Sequence, residues 1–249
     1  MPQDRIPVGS IHLFHGDKGG VGKSLAAEAF ADYLLEKKSL KPIIIDADPR
    51  NPDVSRMFSD TSATIHQINL RLKDGWLELI DVLNEAHAAT PIIISLPAGI
   101  GDFTRSYSAL FHEGLHQIGR KVTLFWVINR DKDSVNLLRL ALQDFKDVVE
   151  ASVVVKNLYW SGGDPSKFVR WQDSQTRKDF IENGGLEIEL PELHDRVTDT
   201  IFNSTEHNGK SPFRKIMMAP TLRLSDRIEL TRWIKDIDAT FDALLQEGA

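Results

Sequence analysis

An α/β fold, a mostly parallel central sheet with helices on both faces, is predicted by three features of this 249-residue chain. A glycine-rich turn from His15 to Ser24 (His-Gly-Asp-Lys-Gly-Gly-Val-Gly-Lys-Ser) separates an apolar run from a helical stretch. Short β-branched runs recur along the chain and are apolar throughout, as strands covered on both faces are. Between them lie segments whose apolar residues recur every three or four positions, the period of a helix packed on one side.

In chain order, residues 11–14 read as a buried strand and residues 25–37 as the helix after the turn. Residues 43–45 (Ile-Ile-Ile) form a central strand whose carboxyl end delivers Asp46 and Asp48. Residues 61–73 suggest a short strand and a loop. Trp76, Leu79, Ile80 and Leu83 make a helical stripe over 76–86. Residues 91–102 give a third buried strand and a turn through Pro97, Ala98 and Gly99. Residues 121–129 are a fourth strand. The chain then turns into a helix capped by Asp133 or Ser134, with Val135, Leu138, Leu142, Phe145 and Val149 on one face. Residues 152–157 are a fifth strand ending in Asn157. Residues 159–171, with Trp160, Gly162, Gly163 and Pro165, form a long loop, either a partner-facing insertion or a packed one. A helix over 176–183 stops at Gly184 and Gly185, and a strand over 186–190 enters Pro191. The last helix, 222–245, carries Leu230, Trp233, Ile234, Ile237, Phe241, Leu244 and Leu245 on the stripe that packs against the sheet.

Composition narrows the function. The residues are 41% hydrophobic and 27% charged, ordinary for a globular protein. Residues 1–249 are read as a single domain. No apolar run is long enough to cross a bilayer and residues 1–5 carry no secretory apolar segment, so a cytoplasmic location is expected. The absence of cysteine excludes disulfides, thiolate nucleophiles and cysteine-held clusters. A net charge of −6 argues against a broadly basic surface, while leaving room for a local basic patch. The eight histidines show no metal-binding spacing, and His15 reads as a packing or surface residue.

The glycine-rich turn points to phosphate. Gly19, Gly20, Val21 and Gly22 let backbone N–H groups point inward around a phosphate chain, and the helix beginning near Leu25 adds its positive dipole end. Lys23 then reaches the outer phosphates, and the Ser24 hydroxyl suits a magnesium ion that accompanies them. Asp46 and Asp48 sit where ligands of open α/β sheets gather, although two aspartates can also simply cap a strand-end turn.

The common phosphate-loop pattern has glycine where this chain has Asp17; what fits instead is Lys18-Gly-Gly-Val-Gly-Lys23-Ser24. With that second lysine the chain resembles the ParA/MinD family of ATPases, whose loop is a deviant Walker A motif. The resemblance implies a P-loop NTPase fold of the SIMIBI type, ATP and Mg2+ as ligands, and a homodimer closed around two nucleotides. In such a dimer Lys18 acts on the partner's nucleotide and Lys23 on its own, as an arginine finger ties charge stabilisation to assembly. It gives Asp48 the task of orienting the attacking water and Asp46 a place near the magnesium shell. It also places Asn157 and the Pro191 backbone at the adenine, although Asn157 can equally be an ordinary loop residue.

One departure stands out. Ser95 replaces the aspartate that family members use to hold a magnesium-bound water, so magnesium would rest on Ser24, the phosphates and Asp46 or Asp48, and slow hydrolysis or weak magnesium affinity is expected. Without cysteines the chain is not one of the iron–sulfur relatives. The acids Asp236, Asp238, Asp242 and Glu247 on the last helix speak against MinD-type membrane binding. Arg214, Lys215, Arg223, Arg227 and Arg232 match a region that binds DNA non-specifically in ParA relatives, or form an ordinary solvated face among acids. The implied function is an ATP-dependent dimerisation switch that positions or segregates DNA or another large cargo, as in plasmid partition, stability or conjugative transfer. An adaptor protein would stimulate its ATPase. The alternatives are an ATP sensor with little hydrolysis, a MinD-type membrane switch, and a metabolic ligase or kinase like dethiobiotin synthetase relatives, against which Lys18 speaks.

Overall fold

The computed structural model describes residues 6–16, 18–202 and 211–246. The strands are β1 (Ile6–Pro7), β2 (Ile11–His15), β3 (Ile43–Asp46), β4 (Thr64–Gln67), β5 (Ile92–Ser95), β6 (Val122–Ile128), β7 (Ala151–Asn157), β8 (Leu186–Leu190) and β9 (Leu245–Gln246). The helices are α1 (Lys23–Asp32, continued by a π-helical turn, Tyr33–Lys37), α2 (Asp53–Phe58), α3 (Lys73–Glu85), α4 (Gly101–Ile118) and α5 (Lys132–Asp144). They continue as α6 (Val169–Gln172), α7 (Gln175–Glu182), α8 (Asp195–Phe202), α9 (Phe213–Met217) and α10 (Leu224–Leu244).

Seven strands form one sheet in the order β4-β3-β5-β2-β6-β7-β8, every neighbouring pair parallel. β2 lies at the centre. From it the chain builds outward through β3 and β4 on one side, returns in β5, and then builds β6, β7 and β8 on the other. That reversal opens a crevice at the carboxyl ends of the central strands, where ligands of such sheets bind. β1 and β9 pair in a separate two-stranded ribbon.

Both faces of the sheet are covered, and its central strands β2, β3, β5 and β6 are buried along almost their whole length. Successive side chains point to opposite faces. Phe14 faces α1 and α10, stacking on Phe125 at 4.6 Å between ring centroids, with Phe30 of α1 at 5.5 Å from Phe125. Leu13, Ile94, Leu124 and Trp126 face the other way, against α3, α4, α5 and α7. Burial of each such side chain contributes about 1.5–3 kcal/mol. α10 packs through the predicted stripe as far as Leu244, while Leu245 falls in β9, and it is tied to α1 by Arg214 of α9, which bonds both Asp32 and Asp238. No described helix is long and apolar enough to cross a membrane.

Several elements differ from the sequence reading. α5 starts at Lys132 with Asp131, not Asp133 or Ser134, at its N-cap, and it ends at Asp144, so Val149 lies beyond it. The Ser134 hydroxyl instead donates to Asn129 Oδ1 at 2.6 Å. α4 escapes the sequence reading because only Thr104, Phe111 and Leu115 along its 18 residues are buried, too sparse a stripe to stand out. α2 is equally silent, six residues long. The segment 159–171 is packed rather than open: Phe168 and Trp171 are each 1% exposed, while Tyr159 and Trp160 remain at the surface.

Two buried histidines make the fold sensitive to acid. His12, whose Nε2 bonds the Val8 carbonyl at 3.0 Å, sits between Phe30 and Phe125, and burial lowers its pKa to about 4. Burial, with Lys23 nearby, lowers that of His15 to about 3. In the unfolded chain both titrate near the ordinary 6.5. Stability from keeping them neutral is therefore complete above pH 6.5 and is lost as pH falls toward 4, by about 2 kcal/mol per histidine at pH 5. Buried Asp32, raised to about 6, works in the opposite direction below pH 6, but one group does not offset two. The urea midpoint of the wild-type protein should fall between pH 7.5 and 5, and His12→Phe should flatten that dependence; an unchanged pH profile in the variant would contradict this account.

Candidate functional site

The turn between β2 and α1 is built for close approach. Gly22, at the N-cap of α1, has φ 101° and ψ 24°, and Gly20 has φ 78°. Both lie in the left-handed region, where any residue with a Cβ is strained. A Cβ at Gly16 would come within 2.7 Å of the Val127 carbonyl, so the loop can pass β6 only as glycine. Gly19 and Gly20 have open space where a Cβ would be, so the inner side of the loop is an unfilled cradle. No side chain caps α1, which leaves its first N–H groups directed at that cradle. Val21 is buried beneath it. Lys23 is also buried, its Nζ donating to the Lys18 carbonyl at 3.2 Å. Ser24 and Leu25 follow in the first turn, half-buried. Gly20, Gly22, Lys23, Ser24, Asn51 and Arg56 are among the residues lining a cleft of about 510 Å³. The donor set and the open cradle fit a phosphate chain. Asp17 lies outside the described residues.

The neighbouring strand ends converge here. Asp46 is opposite Ser95 across β3 and β5, and Ser95 is opposite Phe14 across β5 and β2. Asp46 is nearly inaccessible, and burial pushes its pKa up. Its Oδ1 accepts the Asp48 N–H at 3.2 Å and its Oδ2 the Ser55 N–H at 2.9 Å. The carboxylate thus holds the strand-end turn and the first turn of α2. Asp48 Oδ1 accepts the N–H groups of Arg50 and Asn51 at 3.1 and 3.3 Å, bracing the same turn. The described residues contain no group of three or more His, Asp or Glu side chains arranged to hold a metal ion. A magnesium ion would fit here as a companion of bound phosphate, with Ser24 the hydroxyl that lines the cleft.

Lys18 leaves the loop in another direction. Its Nζ bonds Asp131 Oδ2 at 2.7 Å, with Asp133 Oδ2 at 3.8 Å. Asp131 is itself oriented from the end of β6: its Oδ2 accepts from Asn129 Nδ2 at 3.0 Å, and its N–H donates to Asn129 Oδ1 at 2.9 Å. The lysine pair raises the Lys18 pKa and holds the Asp131 carboxyl below the usual range.

No protein-family model matches the chain. Protein MobD of Acidithiobacillus ferrooxidans is 31% identical over 243 residues, which span 96% of this chain and 99% of MobD. The chain belongs to the MobD family. Among solved structures, chloroplast FtsY from Physcomitrella patens superimposes with a TM-score of 0.50 at 11% identity, over 77% of this chain and 64% of that one. A nucleotide-binding protein from Archaeoglobus fulgidus, solved in complex with ADP, has a TM-score of 0.49 and 16% identity over 76% of this chain and 84% of that one. The FtsY likeness, with the parallel sheet and the loop at its centre, shows this MobD relative to have a P-loop NTPase fold.

Two predicted base-contacting residues have structural partners in the MobD-family chain. Asn157 Nδ2 donates to the Val21 carbonyl at 2.9 Å, and its Oδ1 accepts the Tyr159 N–H at 3.2 Å, so this amide clamps the phosphate loop to the end of β7. The Pro191 carbonyl accepts from Trp233 Nε1 at 2.9 Å, and Pro191 lines a separate cleft with Glu189, Glu192 and Asp236. Of the basic residues, Arg214 is committed to Asp32 and Asp238, and Arg227 donates to the Ala219 carbonyl; Lys215, Arg223 and Arg232 are exposed. His15 is a packing residue, edge-on to Trp126 at 4.8 Å. Sequence reasoning missed Asn129, Asp131 and Arg56; the Asn-x-Asp spacing at the end of β6, which favours an Asx turn, was the one available signal.

A Cβ at Gly22 would lie 2.2 Å from Asn157 Nδ2. Gly22→Ala should therefore cost about 2–3 kcal/mol, from the left-handed backbone and the displaced clamp. Adding Asn157→Ala removes the clash but not the backbone strain, so urea denaturation should show only partial recovery; a neutral Gly22→Ala would contradict the geometry.

Proposed function

We propose that this MobD-family protein is an ATP-dependent dimerisation switch of the ParA type, acting in the positioning, partition or conjugative mobilisation of DNA. The observation that carries the reading is the pair of lysines at one pre-formed phosphate loop, with Lys23 folded into it and Lys18 held outside. Loop N–H groups and Lys23 bind the phosphate chain of ATP, and Ser24 takes the magnesium ion that accompanies it. Asp48, at the end of β3, orients the attacking water once released from its turn. Lys18 leaves Asp131 to reach the nucleotide of the partner subunit, so the carboxylates of Asp131 and Asp133 at the start of α5 compete with phosphate for it.

MobD membership supports the mobilisation setting, and exposed Lys215, Arg223 and Arg232 suit non-specific contact with DNA phosphates. An adaptor protein would stimulate hydrolysis. A second reading, an ATP sensor with little turnover, is favoured by Ser95: a neutral residue stands at the end of β5, opposite Asp46, where the family pattern has a charged aspartate.

Light scattering decides the first reading. ATP should convert wild-type monomer to dimer, Lys18→Ala should stay monomeric, and Asp131→Asn should dimerise at lower ATP because its lysine is no longer held. A wild-type protein that stays monomeric at saturating ATP would overturn the proposal. For the second reading, Ser95→Asp should raise phosphate release at limiting magnesium several-fold; an unchanged rate would remove any role for Ser95.

A further inference from the structure

The cleft beside the phosphate loop has a second cation that the loop motif does not supply. Arg56 comes from α2, across the cleft from Lys23, and lines the same space as Gly20, Gly22 and Ser24. Its side chain is 51% exposed, yet it is held on two sides. Nη2 bonds Asn51 Oδ1 at 3.1 Å and Asp53 Oδ1 at 2.9 Å, and Asn51 Nδ2 closes the ring to Asp53 Oδ2 at 2.6 Å. An ordinary i,i+3 pair on a solvated helix would need no third member. Here Asn51 belongs to the turn that Asp46 and Asp48 brace, so the guanidinium is registered to the end of β3 rather than only to its own helix. These two bonds both use Nη2; a guanidinium carries further donors on Nη1 and Nε, in a planar fork that suits phosphate.

We infer that Arg56 contacts the outermost phosphate of a bound nucleoside triphosphate and gives the site its preference for triphosphate over diphosphate. The inference rests on the loop being a nucleotide site, as proposed above. The loop and Lys23 hold the phosphate chain from the α1 side, while Arg56 and Asn51 approach from the side of Asp48, where the terminal bond is cleaved. A diphosphate bound by the loop lacks the group that Arg56 would meet. In a chain where Ser95 withholds a metal-directed carboxylate, a fixed guanidinium supplies charge stabilisation without depending on the magnesium shell.

Equilibrium dialysis of AMP-PNP and of ADP, each with magnesium, tests this on wild-type protein, Arg56→Ala and Arg56→Lys. Wild-type protein should bind AMP-PNP more tightly than ADP. Arg56→Ala should lose about tenfold in AMP-PNP affinity, the loss expected for one charge-assisted hydrogen bond, with ADP affinity within about twofold. Arg56→Lys should recover part of the loss. Equal losses for both nucleotides, or none for either, would overturn the inference while leaving the nucleotide site intact. A wild-type protein that binds neither would instead bring down the nucleotide reading itself, and this assignment with it.

Discussion

The bond from the Asn157 amide to the Val21 carbonyl holds the centre of this molecule together. It joins the end of β7 to a loop that begins at the end of β2, and it fixes the loop at its most demanding point, beside left-handed Gly22. Because that backbone is shaped by the fold, the N–H groups at the start of α1 are directed inward without rearrangement. Pre-organisation of this kind lets a flexible glycine sequence act as a rigid anion cradle.

The two acidic turns beside the loop serve the same end. Asp46 and Asp48 spend their carboxylate oxygens on backbone N–H groups, which shapes the chain between β3 and α2. A residue type suited to metal or water chemistry is thus also the one that builds the turn. Lys18 follows a similar logic: its partner Asp131 is oriented by Asn129, which in turn accepts from Ser134. Lys18 is thus held to the start of α5 by carboxylates that the end of β6 orients.

How much of this was legible in the sequence depends on distance along the chain. The loop from Gly19 to Ser24, the strand before it and the helix after it are local patterns, and the structure has them where the spacing puts them. The largely apolar runs of β3, β5 and β6 are equally plain, since a strand covered on both faces has no polar side to confuse the reading. The Lys18–Asp131 pair spans 113 positions and has no local signature. Asn157 was legible as a strand-end residue of interest, but its bond to Val21 depends on how β7 and the loop come together in space. Arg56 was hidden because α2 is too short to show a period, and α4 because most of its surface is solvated.

The central claim is that the loop from Gly19 to Ser24 binds nucleotide phosphate. Calorimetric titration of magnesium–ATP into wild-type protein and into Lys23→Ala tests it most directly. The account predicts one nucleotide per wild-type chain and at least a tenfold weaker affinity in the variant, with the fold retained. Equal affinity in the two proteins, or no heat in either, would contradict it.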